Sequence, residues 1–399
     1  MGDHCHPDLV QEIKSVRGLK CGHINVNGLS NKLDEIVTLL SETKFYVLAI
    51  TETHLHEDVQ DKDVEIEGYS LFRKDRNSRT NHWGGVLVYY RYNLHFTELD
   101  LSTDIESIWL EFNIDSQKLL FAAIYRPPND KQFIKNIESV LNIIHHRKNI
   151  LLMDDLNIDL AKENLPLTIS LNKTLNNFNL TNTIRSFTRV TKRSSTLIDH
   201  VITADCSKIL KSNSFDACIS DHNLIYAVYK MHTDSSPPKT LIVRDYKNVN
   251  LDQLKEDFQS APWQLIDLFD NVNDSLWCWE MLFNEIISDH VKTRKVKVKT
   301  KNQPWMTGDI RKMLNKRYRL FQKAKRSGND SLTWKAYKQM RNTCTQLIRK
   351  SKAEYWKKEF QSFTNTKTFL QTFKKFKGNF KMTSISPLQV NDSTIMDKK

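Results

Sequence analysis

The chain has 399 residues, 39% hydrophobic, 10% aromatic and 27% charged, a globular composition with room for two or three domains. Its six cysteines include no Cys-x-x-Cys pair, which excludes a zinc ribbon and a disulfide scaffold and suits a reducing compartment. Residues 1–230 carry 26 Lys and Arg against 30 Asp and Glu, a net of −4, whereas residues 291–380 carry 26 against 4, a net of +22.

That asymmetry predicts two modules with different tasks. A positive field of this size attracts polyanions, and nucleic acid is the leading partner class; a merely solvated helical face is the plainer alternative. No apolar run reaches the roughly 18 residues of a membrane helix, so no membrane partner is expected. The start, Met1 to Val10, is polar and carries two His, unlike a signal peptide. The expected location is nuclear or cytoplasmic, not secreted.

After an N-terminal extension over 1–20, short apolar runs alternate with helical patterns. Strands are predicted at His23–Asn27, Phe45–Thr51, Gly85–Tyr90, Ile108–Ile114, Leu119–Tyr125, Ile150–Met153, Leu197–Thr203 and Leu224–Tyr229. Helices are predicted at Lys32–Glu42, Lys131–His145 and near Leu167–Phe178. Eight strands with interspersed helices imply an α/β domain over 21–231. The stretch 232–240 is polar, contains Pro237 and Pro238, and reads as a linker.

Beyond it the period becomes helical, giving a basic, mostly helical region over 241–380 and a tail over 381–399. Helices are predicted at Leu251–Phe269, Leu276–His290, Thr307–Lys325 and Ser331–Phe360. The last of these places Tyr337, Met340, Cys344, Leu347 and Ile348 at three- and four-residue spacing with basic residues between them. Trp305, Trp334 and Trp356 lie among the charges; core packing is their expected main use, and base stacking the alternative. Lys292, Arg294, Lys295, Arg311, Lys312, Lys316, Arg317 and Arg319 are the candidate nucleic-acid-binding residues.

The chemistry gathers at strand ends of the first domain. These ends read Asn25-Val26-Asn27-Gly28-Leu29, Thr51-Glu52-Thr53-His54, Asp154-Asp155-Leu156-Asn157 and Ile198-Asp199-His200. Ser220-Asp221-His222 precedes the last strand, and Tyr125 closes another. Each could be an ordinary solvated turn. Their repetition at one kind of position, where α/β sheets collect ligand-binding groups, favours a site. Carboxylates and amides bind Mg²⁺, an Asp can accept a proton from water, and an Asp-paired His can stabilise a charged transition state. The fitting reaction is phosphate-ester hydrolysis.

These motifs resemble the endonuclease/exonuclease/phosphatase superfamily, and more closely the endonucleases of LINE-type (non-long-terminal-repeat) retrotransposons. Seven fall in family order across 21–229: Asn-Val-Asn-Gly-Leu, Glu-Thr-His-Leu, Gly84-Gly85-Val86, Ile-Tyr-Arg-Pro-Pro, Asp-x-Asn, Ile-Asp-His and Ser-Asp-His. The resemblance implies two packed β-sheets flanked by helices, with Mg²⁺ as cofactor and Mn²⁺ as its substitute. It implies Asn25 and Glu52 at the metal and Tyr125 on the phosphate. It implies Asp155 on the attacking water with help from Asn157, Asp199 orienting His222, and Asp221 completing the acidic cluster. The implied function is single-strand nicking of target DNA to leave a 3′-hydroxyl primer, with element RNA as a second partner. A phosphatase or phosphodiesterase on the same scaffold, or a catalytically dead nucleic-acid-binding remnant, are the alternatives.

Asp154 stands where the family usually has Gly, and Leu156 where it has Phe. A second carboxylate at 154 is expected to raise the pKa of Asp155 or to strain the strand end, which would cost activity rather than fold. Ser-Asp-His recurs at 288–290, at the end of a predicted helix with no strand after it. Its His290 is expected to be a surface helix residue. The segment after Pro304-Trp305-Met306 resembles the stretch leading to a reverse transcriptase, but no aromatic-Ala-Asp-Asp motif follows, so no polymerase activity is expected.

Overall fold

The computed structural model describes residues 7–76, 83–101, 104–231, 240–246, 249–297, 303–328 and 330–361, with short stretches between 369 and 395. Two compact units emerge: residues 1–233 together with 301–399, and residues 234–300. The first begins with α1 (Pro7–Lys14), β1 (Leu19–Asn25), α2 (Leu33–Thr43) and β2 (Val47–Thr51). Then come β3 (Tyr69–Lys74), β4 (Val86–Arg91), β5 (His95–Glu98), β6 (Glu106–Ile114), β7 (Gln117–Tyr125), α3 (Phe133–Ile144) and β8 (Ile150–Asp155). After α4 (Pro166–Asn177) follow β9 (Thr181–Asn182), β10 (Arg189–Val190), β11 (Ser195–Thr196), β12 (Asp199–Thr203), β13 (Ile209–Phe215) and β14 (Leu224–Tyr229).

Twelve of these strands form two six-stranded sheets, ordered β13-β14-β1-β2-β4-β3 and β5-β6-β7-β8-β12-β9. Each sheet contains one parallel pair joined by a crossover helix: β1 and β2 through α2, β7 and β8 through α3. The inner strands are buried on both faces, which is why Val47-Leu-Ala-Ile and Ile150-Leu-Leu-Met read as unbroken apolar runs.

Alternate residues separate into layers. Val47, Ala49, Val86 and Val88 of the first sheet meet Leu110, Phe121, Leu151, Met153 and Val201 of the second in the central core. The outer face of the first sheet is covered by α1 and α2 through Leu9, Ile13, Ile36, Leu39 and Leu40. The outer face of the second is covered by α3 and α4; Phe133, Ile137, Val140, Leu141 and Ile144 recur on one side of α3. This is the two-sheet sandwich flanked by helices that the sequence leads one to expect.

In the 234–300 unit, α5 (Leu251–Ser260) and α6 (Val272–His290) accompany an antiparallel pair, Thr240–Arg244 with Thr293–Lys297. The single helix predicted over Leu251–Phe269 stops at Ser260, because Pro262 has no N–H to continue the ladder, and a 3₁₀ turn follows at Trp263–Leu268. His290, the last residue of α6, binds Asp257 at 2.6 Å within this unit.

The first unit ends with α7 (Gly308–Arg326) and α8 (Ser331–Gln361). Thr307 caps α7 by accepting the amide of Ile310, and basic residues fill its last turn. Met306, Ile310 and Leu314 pack against Cys344 and Ile348. Phe321, Ala324, Trp334 and Tyr337 pack on Val190 and Cys218, so Trp334 is core. Among the described residues no helix is long and apolar enough to cross a membrane.

Candidate active site

The parallel and antiparallel registers bring the strand-end residues together. Tyr125 of β7 lies opposite Asp155 of β8, and Asp155 lies opposite Asp199 of β12. Asn25 ends β1 in the facing sheet beside Thr51 of β2, and its amide donates to Asp155 Oδ2 at 2.7 Å. The site therefore sits where the two sheets meet at one end. Asp155 and Asp199 share the pleat face of Leu151, Met153 and Val201, which faces the partner sheet.

Glu52 follows β2 in a left-handed turn, with φ 51°. Its Oε1 accepts the Tyr125 hydroxyl at 3.0 Å, and its Oε2 lies 3.8 Å from His54 Nε2. Gly84 and Gly85 shape this corner: their carbonyls accept the amides of His54 and Thr53. A Cβ on Gly85, whose φ is +89°, would stand 2.4 Å from Thr53 Oγ1, so no side chain fits there.

His222 is buried, and its Nδ1 lies 3.0 Å from both oxygens of Asp199 and 3.8 Å from Asp155 Oδ2. Ser220 Oγ accepts the His222 amide and donates to the Asn25 carbonyl, tying the loop to β1. Burial opposes the charged imidazole, but Asp199 and Asp155 outweigh it and raise His222 to about 9. The cost of burial on Asp199 is likewise outweighed by His222, so its carboxyl stays below the usual range. Asp155 goes the other way: burial and the charge of Asp199 push it up. Asn157 sits in a left-handed turn with φ 51°, donates its side-chain amide to the Arg126 carbonyl at 2.9 Å, and places its backbone N–H 3.2 Å from Asp155 Oδ1.

Thus Asn25, Glu52, Tyr125, Asp155, Asn157, Asp199 and His222 all converge. Asp221, expected to complete the acidic cluster, has its side-chain Oδ2 held by Arg189 at 2.7 and 2.8 Å. Arg189 belongs to no motif and could not be singled out from sequence. The same holds for Thr188, whose Oγ1 accepts the amides of Ile198 and Asp199 and fixes the start of β12.

Asp154 also departs from expectation. Being next to Asp155 on a strand, it points to the opposite face, toward the α3/α4 layer, where its Oδ1 meets His200 Nδ1 at 2.7 Å. Both side chains are almost wholly buried. The upward push on Asp155 comes from burial and Asp199, not from Asp154.

Of the candidate nucleic-acid contacts, Lys292, Arg294, Lys312, Lys316 and Arg319 are exposed and Arg311 is half-buried. The backbone of Lys295 lies in a strand, and its side chain is outside the described residues. Arg317 is not a surface contact. It is 3% exposed and ion-paired to Glu35 of α2 at 2.7 Å, because it occupies the buried face of α7 with Ile310, Leu314, Phe321 and Ala324.

The model of the Endonuclease/Exonuclease/phosphatase family matches residues 22–222, half of the chain. The chain belongs to the endonuclease/exonuclease/phosphatase family. The matched span opens in β1 and closes on His222. A second model, the Female sterile protein K10 C-terminal domain, matches residues 306–367, which hold α7 and α8. No curated protein matches. Similar solved structures include the endonuclease domain of TRAS1, a telomere-specific non-LTR retrotransposon, at 12% identity and TM-score 0.45, covering 54% of this chain and 99% of that one. A 3′-5′ exonuclease from Neisseria meningitidis is similar at 16% identity and TM-score 0.43, over 53% of this chain and 99% of that one. An AP endonuclease from Archaeoglobus fulgidus is similar at 14% identity and TM-score 0.43, over 53% and 100%.

Members of this family hydrolyse phosphate esters, and its nucleases typically use a divalent metal. The residues present fit one. Asp155, Asp199 and His222 place ligand atoms within 4.8 Å of one another, all buried. Burial and the charge of Asp199 raise Asp155, and a cation beside it would offset that cost. The donors near it, Glu52, Asp155 and the Asn25 amide, are hard oxygen ligands that suit Mg²⁺ or Mn²⁺. His222 Nδ1 is committed to Asp199, which leaves the oxygen donors as the better-placed ligands.

Proposed function

We propose that this chain is a Mg²⁺-dependent endonuclease that nicks one strand of DNA and leaves a 3′-hydroxyl usable as a primer in retrotransposition. The observation that carries this reading is the convergence of Glu52, Tyr125, Asn25, Asp155, Asp199 and His222 at the junction of the two sheets. Glu52, with Asn25 and Asp155 alongside, would hold the cation; when bound, it would polarise the phosphoryl oxygen and neutralise developing charge.

This chain's own residues supply the rest. Asp155, buried at the centre of the site, is placed to orient the attacking water and accept its proton. Asn25 and the Asn157 amide hold that carboxylate in place. His222 carries its positive charge at neutral pH, and with Nδ1 on Asp199 its Nε2 is the nitrogen left to meet the crowded phosphate oxygens. The Tyr125 hydroxyl, lifted by burial and by Glu52 and so kept protonated, donates to Glu52 and would turn that proton to the phosphate when substrate binds. The basic surface of the second half favours a long polyanion over a small phosphate ester.

A supercoiled plasmid tests the reading. Relaxation in Mg²⁺ or Mn²⁺ and none in chelator is expected, with a product that a DNA polymerase extends without phosphatase treatment. Asp155→Asn and His222→Gln should each cut the rate by roughly 10²–10⁴ while circular dichroism stays native. Nicking unaffected by both substitutions overturns the assignment. Phosphate release from small esters with no nicking would make the chain a phosphatase instead.

A further inference from the structure

The long helix α8 runs beside the active-site loop. Arg349 donates to the Asn31 side chain at 2.9 Å, and Lys352 lies 3.2 Å from both oxygens of Asp34. Gln303 also reaches Asp34, at 2.9 Å. Asn31 and Asp34 close the loop that begins at Asn25 and opens α2. Between them, Lys32 donates its ammonium to the carbonyls of Val26 and Asn27, next to Asn25 of the site.

Lys338, Arg341, Thr345, Arg349 and Lys352 follow one another at spacings of three, four, four and three, so they form one stripe along α8. Lys338, Arg341 and Arg349 are exposed. The stripe borders the side of the helix fixed by Trp334, Tyr337, Cys344 and Ile348, so it is held on a rigid support. From position 338 to 349 it covers about 16 Å, the axial length of about five base pairs.

We infer that the Lys338–Arg341–Arg349 stripe of α8 is a phosphodiester-backbone rail, continuous through Lys32 with the active site, that grips the nucleic acid beyond the cleaved bond. None of these residues is among those that the charge run alone singled out. The inference rests on the reading of the site as a nucleic-acid-processing one. Charge complementarity names the ligand as a sugar–phosphate chain, and DNA and RNA share that chemistry.

The experiment uses the full chain in chelator, where binding is separated from cleavage. The probes are a 30-base-pair DNA duplex and an RNA of equal length, each titrated at several salt concentrations. Lys338→Gln with Arg341→Gln should weaken duplex binding roughly tenfold and lower the slope of log affinity against log salt by about 2, one per lost phosphate contact. Lys350→Gln with Lys357→Gln, which removes the same charge from another side of α8, should change neither much. Equal effects from the two pairs, or none from the first, overturn the rail. A slope change confined to RNA assigns the rail to RNA; one confined to DNA assigns it to DNA. Plasmid nicking is scored in parallel. A parent that binds through the stripe but never nicks keeps the rail and removes the endonuclease reading; a parent that nicks with an unaltered slope in the stripe variant does the reverse.

Discussion

At position 154 the strand's two-residue period decides between strain and support. A carboxylate adjacent to Asp155 in sequence is on the other face of β8, where it neutralises buried His200 across the β8–β12 pair. The Gly expected there would leave that imidazole alone in the α3/α4 layer, so Asp154→Gly should cost about 2–4 kcal/mol in urea unfolding and should not speed nicking. Adding His200→Val should recover part of the loss, since removing both partners of a buried pair costs less than removing one. An equally stable or faster Asp154→Gly single variant would contradict this account. Asp216 is the opposite case. It is buried beside the Cys218 amide and Gln322, and burial pushes it up to about 6 from an ordinary 3.8. A carboxyl raised on folding stabilises while protonated, fully below its unfolded value, and that contribution disappears as pH rises through 6. Asp216→Asn keeps the acceptor and removes the titration. It should therefore stabilise the chain on the order of 1–2 kcal/mol more at pH 7.5 than at pH 4, read from denaturant midpoints at both values.

Among the elements, what the sequence shows well is what is buried on both sides. The inner strands read as apolar runs, and each was legible to within a few residues. The strands left unpredicted include β3, β5, β9 and β13, all at sheet edges. Edge strands carry polar residues, as in Lys211-Ser-Asn-Ser of β13 and Arg73-Lys74 of β3, and so lack the signal. Helix α7 shows the converse. Its basic residues read as one solvated face, yet Ile310, Leu314, Arg317, Phe321 and Ala324 share the helical spacing of a buried stripe. Arg317 lies in that stripe to meet Glu35, which stands in the first turn of α2 where the helix dipole tolerates an anion. Arg317→Met should lower the melting temperature by several degrees, a loss of about 2–3 kcal/mol, because Glu35 keeps its charge without a partner. Lys316→Gln, one residue away and exposed, should leave it within about a degree. Equal effects of the two substitutions would contradict the burial of the pair.

For the molecule as a whole, the seven short motifs were legible because each is a local run of polar residues at a strand end, while Arg189, Thr188 and the α7–α8 packing were not, because they depend on which surfaces meet. That packing gives the α7–α8 pair a structural part in the first unit, since Phe321, Trp334 and Tyr337 cover Val190 next to Arg189. If the carboxylate cluster holds a cation, as proposed, the stability of the fold reports its binding. Sheet register sets Asp155 opposite Asp199, and the burial and like charge that raise Asp155 are a cost the folded chain bears without metal. A cation that binds only the folded state adds RT ln(1 + [L]/Kd), about 2.7 kcal/mol at a hundredfold excess over Kd. Saturating Mn²⁺ should therefore raise the melting temperature by several degrees, and chelator should reverse the rise. Asp155→Asn removes both a ligand and the repulsion, so this variant should start out more stable than the parent without metal and gain little when Mn²⁺ is added. A parent insensitive to Mn²⁺, or a variant stabilised by it as strongly as the parent, would show that the cluster does not hold the ion.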